Sequence, residues 1–228
     1  MRLAPGDTLP LKRRLVDAIR ILERAELIDH SGHCSARRDE RSFFINAAAS
    51  SRAALTEADL VTMDLDGNIV EDGARPPLEF HIHAEIYRAR PEVNAVMHTH
   101  PRWSTFLTMT GAKYEPVYAQ GVLLGAIPVL ESPLSVNTRE AGRQLAMTLG
   151  RHRAALLKSH GAVVVGADLV ECFALTVYCE ENAYRQYMAR QIGTPYVFCQ
   201  LEQEACRQNL WSAELFTKVW NHYRAKLP

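Results

Sequence analysis

The chain has 228 residues, 47% of them hydrophobic and 23% charged, which is the composition of a globular protein long enough to bury a core. Its 26 basic residues are balanced by 26 acidic residues, so no net positive charge favours binding to nucleic acid or to an anionic membrane. The five cysteines form no C-x-x-C pair and are too scattered for a disulfide framework. We predict a single domain over residues 1–228, with neither a nucleic-acid nor a membrane partner.

The sequence also predicts the cellular location of the protein. Residues 1–10 lack the basic-then-apolar pattern of a secretory signal peptide. No uninterrupted apolar run approaches the roughly 20 residues that span a bilayer. We therefore predict a cytoplasmic protein.

The first part of the chain mixes one helix with short strands. Apolar residues recur with helical period over residues 11–28, which predicts an amphipathic helix. The polar stretch 29–42 indicates a loop, and residues 42–46 are typical of a strand. Residues 61–65 alternate in polarity and precede an Asp-Gly-Asn turn signal, so a hairpin is expected there.

The rest of the chain alternates between helices and strands. Helices are predicted over 79–90, after Pro101, and over 137–149, 168–192 and 202–225. Strands are predicted over 94–100, 126–130, 154–158 and 162–165. This alternation, together with a tight hairpin, favours an α/β layered fold with a largely antiparallel or mixed sheet.

Three histidines suggest a metal site. His98 and His100 are two apart at the end of a predicted strand, so their imidazoles project from the same face. His160 follows another apolar strand, and Gly161 permits a sharp turn there. Three histidines with an open position are typical of a catalytic divalent metal. The alternatives are a polar pair on an edge strand and a histidine in a turn.

Glu79 and Tyr118 are candidate proton-transfer groups. Glu79 lies four residues before His83 on a predicted helix, and a carboxylate near a metal can bind it or move a proton. The alternative is a solvated glutamate at a helix N-terminus. Tyr118 lies between the segments that carry the other candidates, and a buried structural role competes with a catalytic one.

Over about residues 12–192 these motifs together resemble the class II aldolase/adducin family. The segments that carry the resemblance are Ser31-Gly32-His33-Cys34-Ser35-Ala36-Arg37, Leu55-Thr56-Glu57-Ala58-Asp59-Leu60-Val61, Asp64-Leu65-Asp66-Gly67, Glu79 with His83, His98-Thr99-His100-Pro101 and Lys158-Ser159-His160-Gly161. The resemblance implies a three-layer α/β/α fold with a central, mainly antiparallel sheet. It also implies a homotetramer with its sites near subunit interfaces.

The resemblance further implies the roles of individual residues. His98, His100 and His160 would bind one divalent metal per subunit, and zinc, manganese, iron and cobalt all suit such ligands. Glu79 would be the catalytic acid/base, and in an empty site it would sometimes bind the metal.

The chain departs from the family's sugar-phosphate aldolases where those enzymes bind phosphate. His33 replaces their asparagine, Asn46-Ala47-Ala48-Ala49 replaces Thr-Pro-Ser-Gly, and Pro77 with Leu78 replaces two serines. A phosphate needs several convergent donors, so we do not expect a phosphorylated substrate. The residues that remain nearby to bind a substrate carboxylate are His33, Arg37, Ser50, Ser51 and Arg52.

The sequence resembles the family's decarboxylases of hydroxylated aromatic or heteroaromatic dicarboxylic acids, such as dihydroxyphthalates or hydroxypyridine dicarboxylates. Such an enzyme would be a lyase acting on a small molecule through a metal-stabilised enolate. Three alternatives remain: an aldolase for an unphosphorylated hydroxy-carbonyl substrate, an iron-dependent oxygenase, and a non-enzymatic adducin-like assembly domain. The last class should lack the histidine ligands, which are present here.

Overall fold

The computed structural model of the protein describes residues 9–71 and 73–227. Segment 1–8, on which the expected lack of a signal peptide mainly rests, lies outside the described residues. Among the helices of the described part, none combines the length and hydropathy of a membrane-spanning segment. The cytoplasmic location stays a prediction.

Helices and strands alternate along most of the chain. The helices are α1 (Leu11–Arg24), α2 (Phe80–Ala89), α3 (Arg102–Met109), α4 (Arg139–Leu149), α5 (Leu169–Ile192), α6 (Gln200–Leu210) and α7 (Ala213–Arg224). The strands are β1 (His33–Arg37), β2 (Ser42–Asn46), β3 (Leu60–Asp64), β4 (Ala95–Thr99), β5 (Val129–Leu130), β6 (Ala154–Leu157) and β7 (Gly161–Gly166). Two short 3-10 helices cover Glu57–Asp59 and Ala119–Leu124.

The strands form one sheet in the order β3-β2-β1-β4-β7-β6-β5. All neighbouring strands are antiparallel except β5 and β6, which are parallel. Two helical layers cover this sheet. Helices α1, α5 and α7 pack on one face together with Met97 and Val164, whereas α2 and α4 pack on the other face with Val96 and Val163. The predicted α/β fold with a mainly antiparallel sheet between helical layers is confirmed.

Strand β1 lies inside the segment that the sequence analysis predicts as a loop, and that prediction is wrong. Its sequence, His-Cys-Ser-Ala-Arg, has little of the β-branched and aromatic character of strands. All five residues are nevertheless buried, because β1 pairs with β2 on one side and β4 on the other. A polar strand in the middle of a sheet is unusual, and the side chains of His33 and Ser35 belong to the site described below.

Two predicted helices end differently in the structure. The helix expected over 11–28 ends at Arg24. The helix expected over 202–225 is two helices, α6 and α7, because Ser212 interrupts it as a new N-cap. Its hydroxyl accepts a hydrogen bond from the Leu215 backbone N–H at 3.1 Å. The strand expected over 126–130 is reduced to the two residues of β5.

The central strands place the candidate ligands at one end of the sheet. His33, the first residue of β1, pairs with His98 near the end of β4, and both side chains lie on the α2 face. Thr99 of β4 pairs with Ala162 of β7, which brings the turn before β7 next to His100.

The turn before β7 differs from the prediction that Gly161 provides its unusual backbone conformation. The left-handed backbone conformation belongs to Ser159, with φ of 53°, and not to Gly161. Gly161 is required for space, since a Cβ there would clash with the Thr99 carbonyl oxygen and lie 2.9 Å from the His100 ring. The close approach of β7 to β4 therefore holds His160 beside His100.

Candidate metal centre

Glu79, His98, His100 and His160 converge at the end of the central strands. One potential ligand atom from each lies within 4.8 Å of the others. The Nε2 atoms of His98 and His100 are 3.1 Å apart. Glu79 Oε2 lies 3.5 Å from His98 Nε2, and Glu79 Oε1 lies 3.8 Å from His160 Nε2. The structure thus brings together the four residues that the sequence analysis singles out as metal ligands and acid/base.

Outer contacts orient two of the imidazoles. His100 Nδ1 lies 3.0 Å and 3.1 Å from the two carboxylate oxygens of Asp29. His98 Nδ1 lies 3.2 Å from the backbone carbonyl oxygen of Ala162. Both Nδ1 atoms face acceptors and therefore carry the proton, which leaves a lone pair on each Nε2 for a metal.

The charge state of the cluster also suits a cation. Burial lowers the pKa of His98 to about 3, against the opposing effect of Glu79. Burial also lowers the pKa of His160. Metal ligation needs neutral imidazoles, so the two histidines present their lone pairs without losing a proton at neutral pH.

Glu79 is the carboxylate of the cluster. It is the N-cap residue of α2, and its Oε1 accepts a hydrogen bond of 2.6 Å from the Val136 backbone N–H. Burial raises the pKa of Glu79, but its interactions with His33 and His98 outweigh burial and hold the pKa well below its usual range. Glu79 is therefore ionised in the substrate-free site, where it can bind a cation or accept a proton. Three imidazoles and this carboxylate fit a divalent metal such as zinc, manganese, iron or cobalt.

A buried chain of hydrogen bonds runs behind the cluster. His33 Nδ1 lies 2.7 Å from His83 Nε2, and His83 Nδ1 lies 2.6 Å from Ser35 Oγ. Ser35 Oγ lies 2.8 Å from the Tyr87 hydroxyl. None of these four side chains is more than 1% exposed. Glu79 is the N-cap of α2 and His83 lies in its first turns, and His33 lies between the two, with its Nε2 3.8 Å from Glu79 Oε2.

Ser50, Ser51 and Arg52 lie in the loop after β2. Arg52 is buried, and its guanidinium donates to the Gly32 carbonyl at 2.9 Å and also to the Ser50 carbonyl. Ser50 Oγ donates to the Ala47 carbonyl, and Ser51 is exposed. The positive charge of Arg52 helps to lower the pKa of His33, so this loop borders the cluster. The substrate-binding role of the three residues stays a prediction.

The structure does not bring Arg37 to the site, and its predicted role in substrate binding is wrong. Arg37 is the last residue of β1, four residues from the end where His33 lies. Its guanidinium donates to the backbone carbonyls of Val93, Tyr87 and Arg90 at 2.8, 2.9 and 3.1 Å. These bonds tie β1 to the end of α2, which is a structural role.

Tyr118 lies on the other side of the sheet from His98 within one subunit. Its backbone N–H donates to Asn182 Oδ1 at 3.0 Å, and the Arg185 guanidinium lies 4.3 Å from the centre of its ring. Both partners belong to α5, which covers the face opposite to α2. In its own subunit Tyr118 therefore does not supply the catalytic proton, and that prediction is wrong there.

Asp29 is a contact that the sequence analysis missed. It lies 71 positions before His100, and no local pattern links them. Its pKa is lowered because hydrogen bonds from the Ser31 N–H and from His100 outweigh the effect of burial, so Asp29 is ionised.

We expect Asp29→Asn to weaken metal binding about 10- to 100-fold, because the neutral amide holds the His100 ring less firmly. The amide oxygen that replaces the carboxylate would still accept the Ser31 and Gly32 N–H groups that Asp29 accepts, so the loop should persist. Metal titration with a competing chelator measures the effect. Asp39→Asn is the matched control, since exposed Asp39 also accepts a backbone N–H and a hydroxyl in a turn. Equal metal affinity in all three proteins would show that Asp29 does not orient His100.

Because the buried histidines have lowered pKa values, we expect the free energy of unfolding to depend on pH. Burial lowers the pKa of His33, His83 and His98 from 6.5 in the folded protein. Below pH 6.5 the unfolded chain therefore binds more protons, and the free energy of unfolding falls by about 1.4 kcal/mol per pH unit for each such histidine. Their contribution is intact above pH 6.5 and is lost as the pH falls.

Between pH 7.5 and pH 5.5, we expect His83→Met to reduce the loss of unfolding free energy of the metal-free protein by about 1.4 kcal/mol, the contribution of one histidine. Urea unfolding at pH 7.5 and pH 5.5 measures it. The control His152→Met changes an exposed histidine and should keep the wild-type slope. An unchanged slope in His83→Met would mean that His83 binds a proton in the folded protein.

Comparison with known proteins places the fold in a family. The family model described as Class II Aldolase and Adducin N-terminal domain matches residues 13–187. The chain is 29% identical over 167 residues to an L-fuculose phosphate aldolase of Methanocaldococcus jannaschii, covering 72% of this chain and 88% of that protein. It is 34% identical over 163 residues to Decarboxylase NovR of Streptomyces niveus, covering 68% of this chain and 58% of that protein.

A solved structure shows the same fold. The L-fuculose 1-phosphate aldolase from Glaciozyma antarctica PI12 superimposes with a TM-score of 0.83 at 22% identity, covering 95% of this chain and 88% of that chain. The family match spans the cluster of Glu79, His98, His100 and His160. This chain belongs to the class II aldolase and adducin family, whose members among its relatives include both aldolases and decarboxylases.

Proposed function

We propose that the chain is a metal-dependent carbon–carbon lyase that decarboxylates a hydroxylated aromatic or heteroaromatic dicarboxylic acid. The observation that carries the proposal is the surface beside Glu79. Pro77 has no N–H to donate, and Leu78, next to the catalytic carboxylate, is 78% exposed. These residues stand where the sugar-phosphate aldolases resembled by the sequence place two serines, so this side of the site offers no donors to a phosphate.

A second exposed leucine supports the same substrate class. Leu134 is 73% exposed and lies in the loop that also supplies the Val136 N–H to Glu79. Its backbone carbonyl contacts His160, so the loop borders the cluster. Leu78 and Leu134 together give the site an apolar border, which suits the face of an aromatic ring better than a sugar phosphate.

The loop after β2 gives the site a polar border. Its Arg52 donates to the carbonyl of Gly32, the residue before His33, and to the carbonyl of Ser50. We propose that Ser50, Ser51 and Arg52 bind the carboxylate that the reaction retains, with Arg52 supplying the positive charge. An apolar border and a cationic border together would orient an aromatic diacid with one carboxylate toward the cluster.

His98, His100 and His160, with Glu79 in the substrate-free site, would hold the metal. When bound, the metal supplies positive charge that stabilises the negative charge developing on substrate oxygen as the carbon–carbon bond breaks. Glu79 enters the reaction as a carboxylate and accepts the proton of the substrate's ring hydroxyl. Glu79 then returns this proton to the ring carbon that carries the departing carboxylate, which converts the hydroxyl oxygen into a ring carbonyl. The carbon–carbon bond breaks, CO₂ leaves, and the electron pair moves through the ring to that oxygen, which restores the aromatic ring.

We also propose that the protein is a homotetramer. Large apolar side chains are exposed on α5 and α6, with Ile192 92% and Leu201 83% exposed. Burying such side chains against another subunit would stabilise an oligomer. Analytical ultracentrifugation should give four subunits per particle. A monomer with full activity would contradict this proposal.

Product analysis tests the proposed function. A dihydroxyphthalate and fuculose 1-phosphate are supplied in parallel to the metal-loaded protein, and CO₂ and aldehyde are measured. We expect CO₂ from the first and no product from the second. Efficient cleavage of the sugar phosphate would overturn the proposal. Aldehyde from an unphosphorylated hydroxy-carbonyl compound would favour the aldolase alternative, and oxygen consumption would favour the oxygenase.

A further inference from the structure

The buried chain Tyr87–Ser35–His83–His33 has only one proton arrangement that satisfies every group. The bond between His33 Nδ1 and His83 Nε2 needs one protonated and one unprotonated nitrogen. Each imidazole keeps at least one N–H, so a ring that accepts through one nitrogen must carry its proton on the other. The directions of the hydrogen bonds along the chain therefore fix the tautomer of both rings.

Tyr87 sets that direction. Its hydroxyl is buried, and within the described residues its hydrogen-bond partner is Ser35 Oγ. Burying an O–H without an acceptor is unfavourable, so Tyr87 donates to Ser35. The Ser35 hydroxyl is then free to donate to His83 Nδ1. His83 consequently carries its proton on Nε2 and donates it to His33 Nδ1.

The last consequence concerns the atom that faces the metal centre. With Nδ1 accepting from His83, His33 must carry its proton on Nε2. That Nε2 is buried, has no hydrogen-bond partner among the described residues, and lies 3.8 Å from Glu79 Oε2. The Nε2–H of His33 is therefore a donor without an acceptor, and it faces the position that Glu79 Oε2 occupies in the cluster.

We propose that Tyr87, Ser35 and His83 are positioning residues that fix His33 as an Nε2–H donor to the oxygen at this position. The oxygen belongs to Glu79 in the free site and to the substrate's carboxylate or ring hydroxyl when substrate displaces Glu79. A protonated Nε2 has no lone pair, so His33 does not act as a further metal ligand. The site accordingly selects a substrate with an acceptor oxygen beside its metal-binding oxygens. This catalytic consequence rests on the proposed function, whereas the tautomer does not.

Neutron diffraction from deuterium-exchanged crystals of the metal-free protein tests the tautomer directly. We expect deuterium on Nε2 of both His33 and His83 and on the Tyr87 oxygen facing Ser35. Deuterium on Nδ1 of His33 would overturn the proposal. Because no turnover is measured, this result stands even if the proposed reaction is wrong.

A matched pair of variants tests the catalytic consequence. Glutamine at position 83 can replace the Nε2–H donor with its amide, whereas methionine has the same length and no donor. We expect kcat of His83→Gln to exceed that of His83→Met about 10-fold, the effect of one hydrogen bond, with little difference in KM. The same pair at exposed His152 should differ little. A purely structural role would favour the apolar methionine, so equal kcat values, or a higher value for methionine, would overturn the proposal.

Discussion

Replacing His98 with alanine should reduce the metal content from one ion per subunit to near zero and abolish turnover. His98 is the fully buried member of the cluster, and its Nε2 lies 3.1 Å from His100 Nε2 and 3.5 Å from Glu79. Its removal leaves two histidines and a carboxylate around a cavity open to water. We expect the loss of affinity to exceed the roughly 10- to 100-fold effect of removing an outer contact. Elemental analysis of the purified variant, with a metal titration, measures it.

His81→Ala is the matched control. His81 lies two residues after Glu79, contacts the Phe80 ring with centroids 4.0 Å apart, and is outside the cluster of potential ligands. We expect it to keep one metal ion per subunit. If His98→Ala also kept one ion per subunit, the assignment of His98 as a ligand would be wrong.

Replacing Glu79 with glutamine should lower kcat by about 10²–10⁴-fold, the usual contribution of general acid–base catalysis. Glutamine keeps the shape of the side chain and an oxygen to accept the Val136 N–H, but it cannot carry the transferred proton. Since three histidines remain, we expect metal occupancy and KM to change little. Steady-state kinetics with metal analysis on the same preparation separates these effects.

Glu140→Gln controls for the loss of a carboxylate, since Glu140 is an exposed residue of α4. We expect wild-type kcat from it. A near-normal kcat in Glu79→Gln would show that the proton has another source. Loss of metal from Glu79→Gln, rather than loss of turnover, would make Glu79 a structural ligand.

Local sequence patterns are sufficient to predict the four residues that the structure brings together in the cluster. His98 and His100 are related by strand period, and the strand they end is apolar and easily recognised. His160 follows a strand of the same kind, and Glu79 lies at the start of a helix. Each of these signals depends on a few neighbouring residues, so it can be recognised without knowledge of the fold.

The supporting contacts could not be found in this way, because they join distant parts of the chain. Asp29 contacts His100 across 71 positions, and His33 contacts His83 across 50. Strand β1 was missed because its polar side chains serve these contacts rather than a hydrophobic core. The prediction for Arg37 is wrong because residues 33–37 form an extended strand. His33 and Arg37 lie at its two ends, so only His33 reaches the site.

Metal-dependent release of CO₂ distinguishes the proposed decarboxylase from an aldolase most directly. Protein stripped with a chelator is titrated with a divalent metal, and CO₂ from a dihydroxy-aromatic dicarboxylate is measured at each step. We expect no release without metal and a linear rise that saturates at one metal ion per subunit. Full CO₂ release from the stripped protein would contradict it, as would a metal-loaded protein that releases aldehyde from a sugar phosphate and no CO₂.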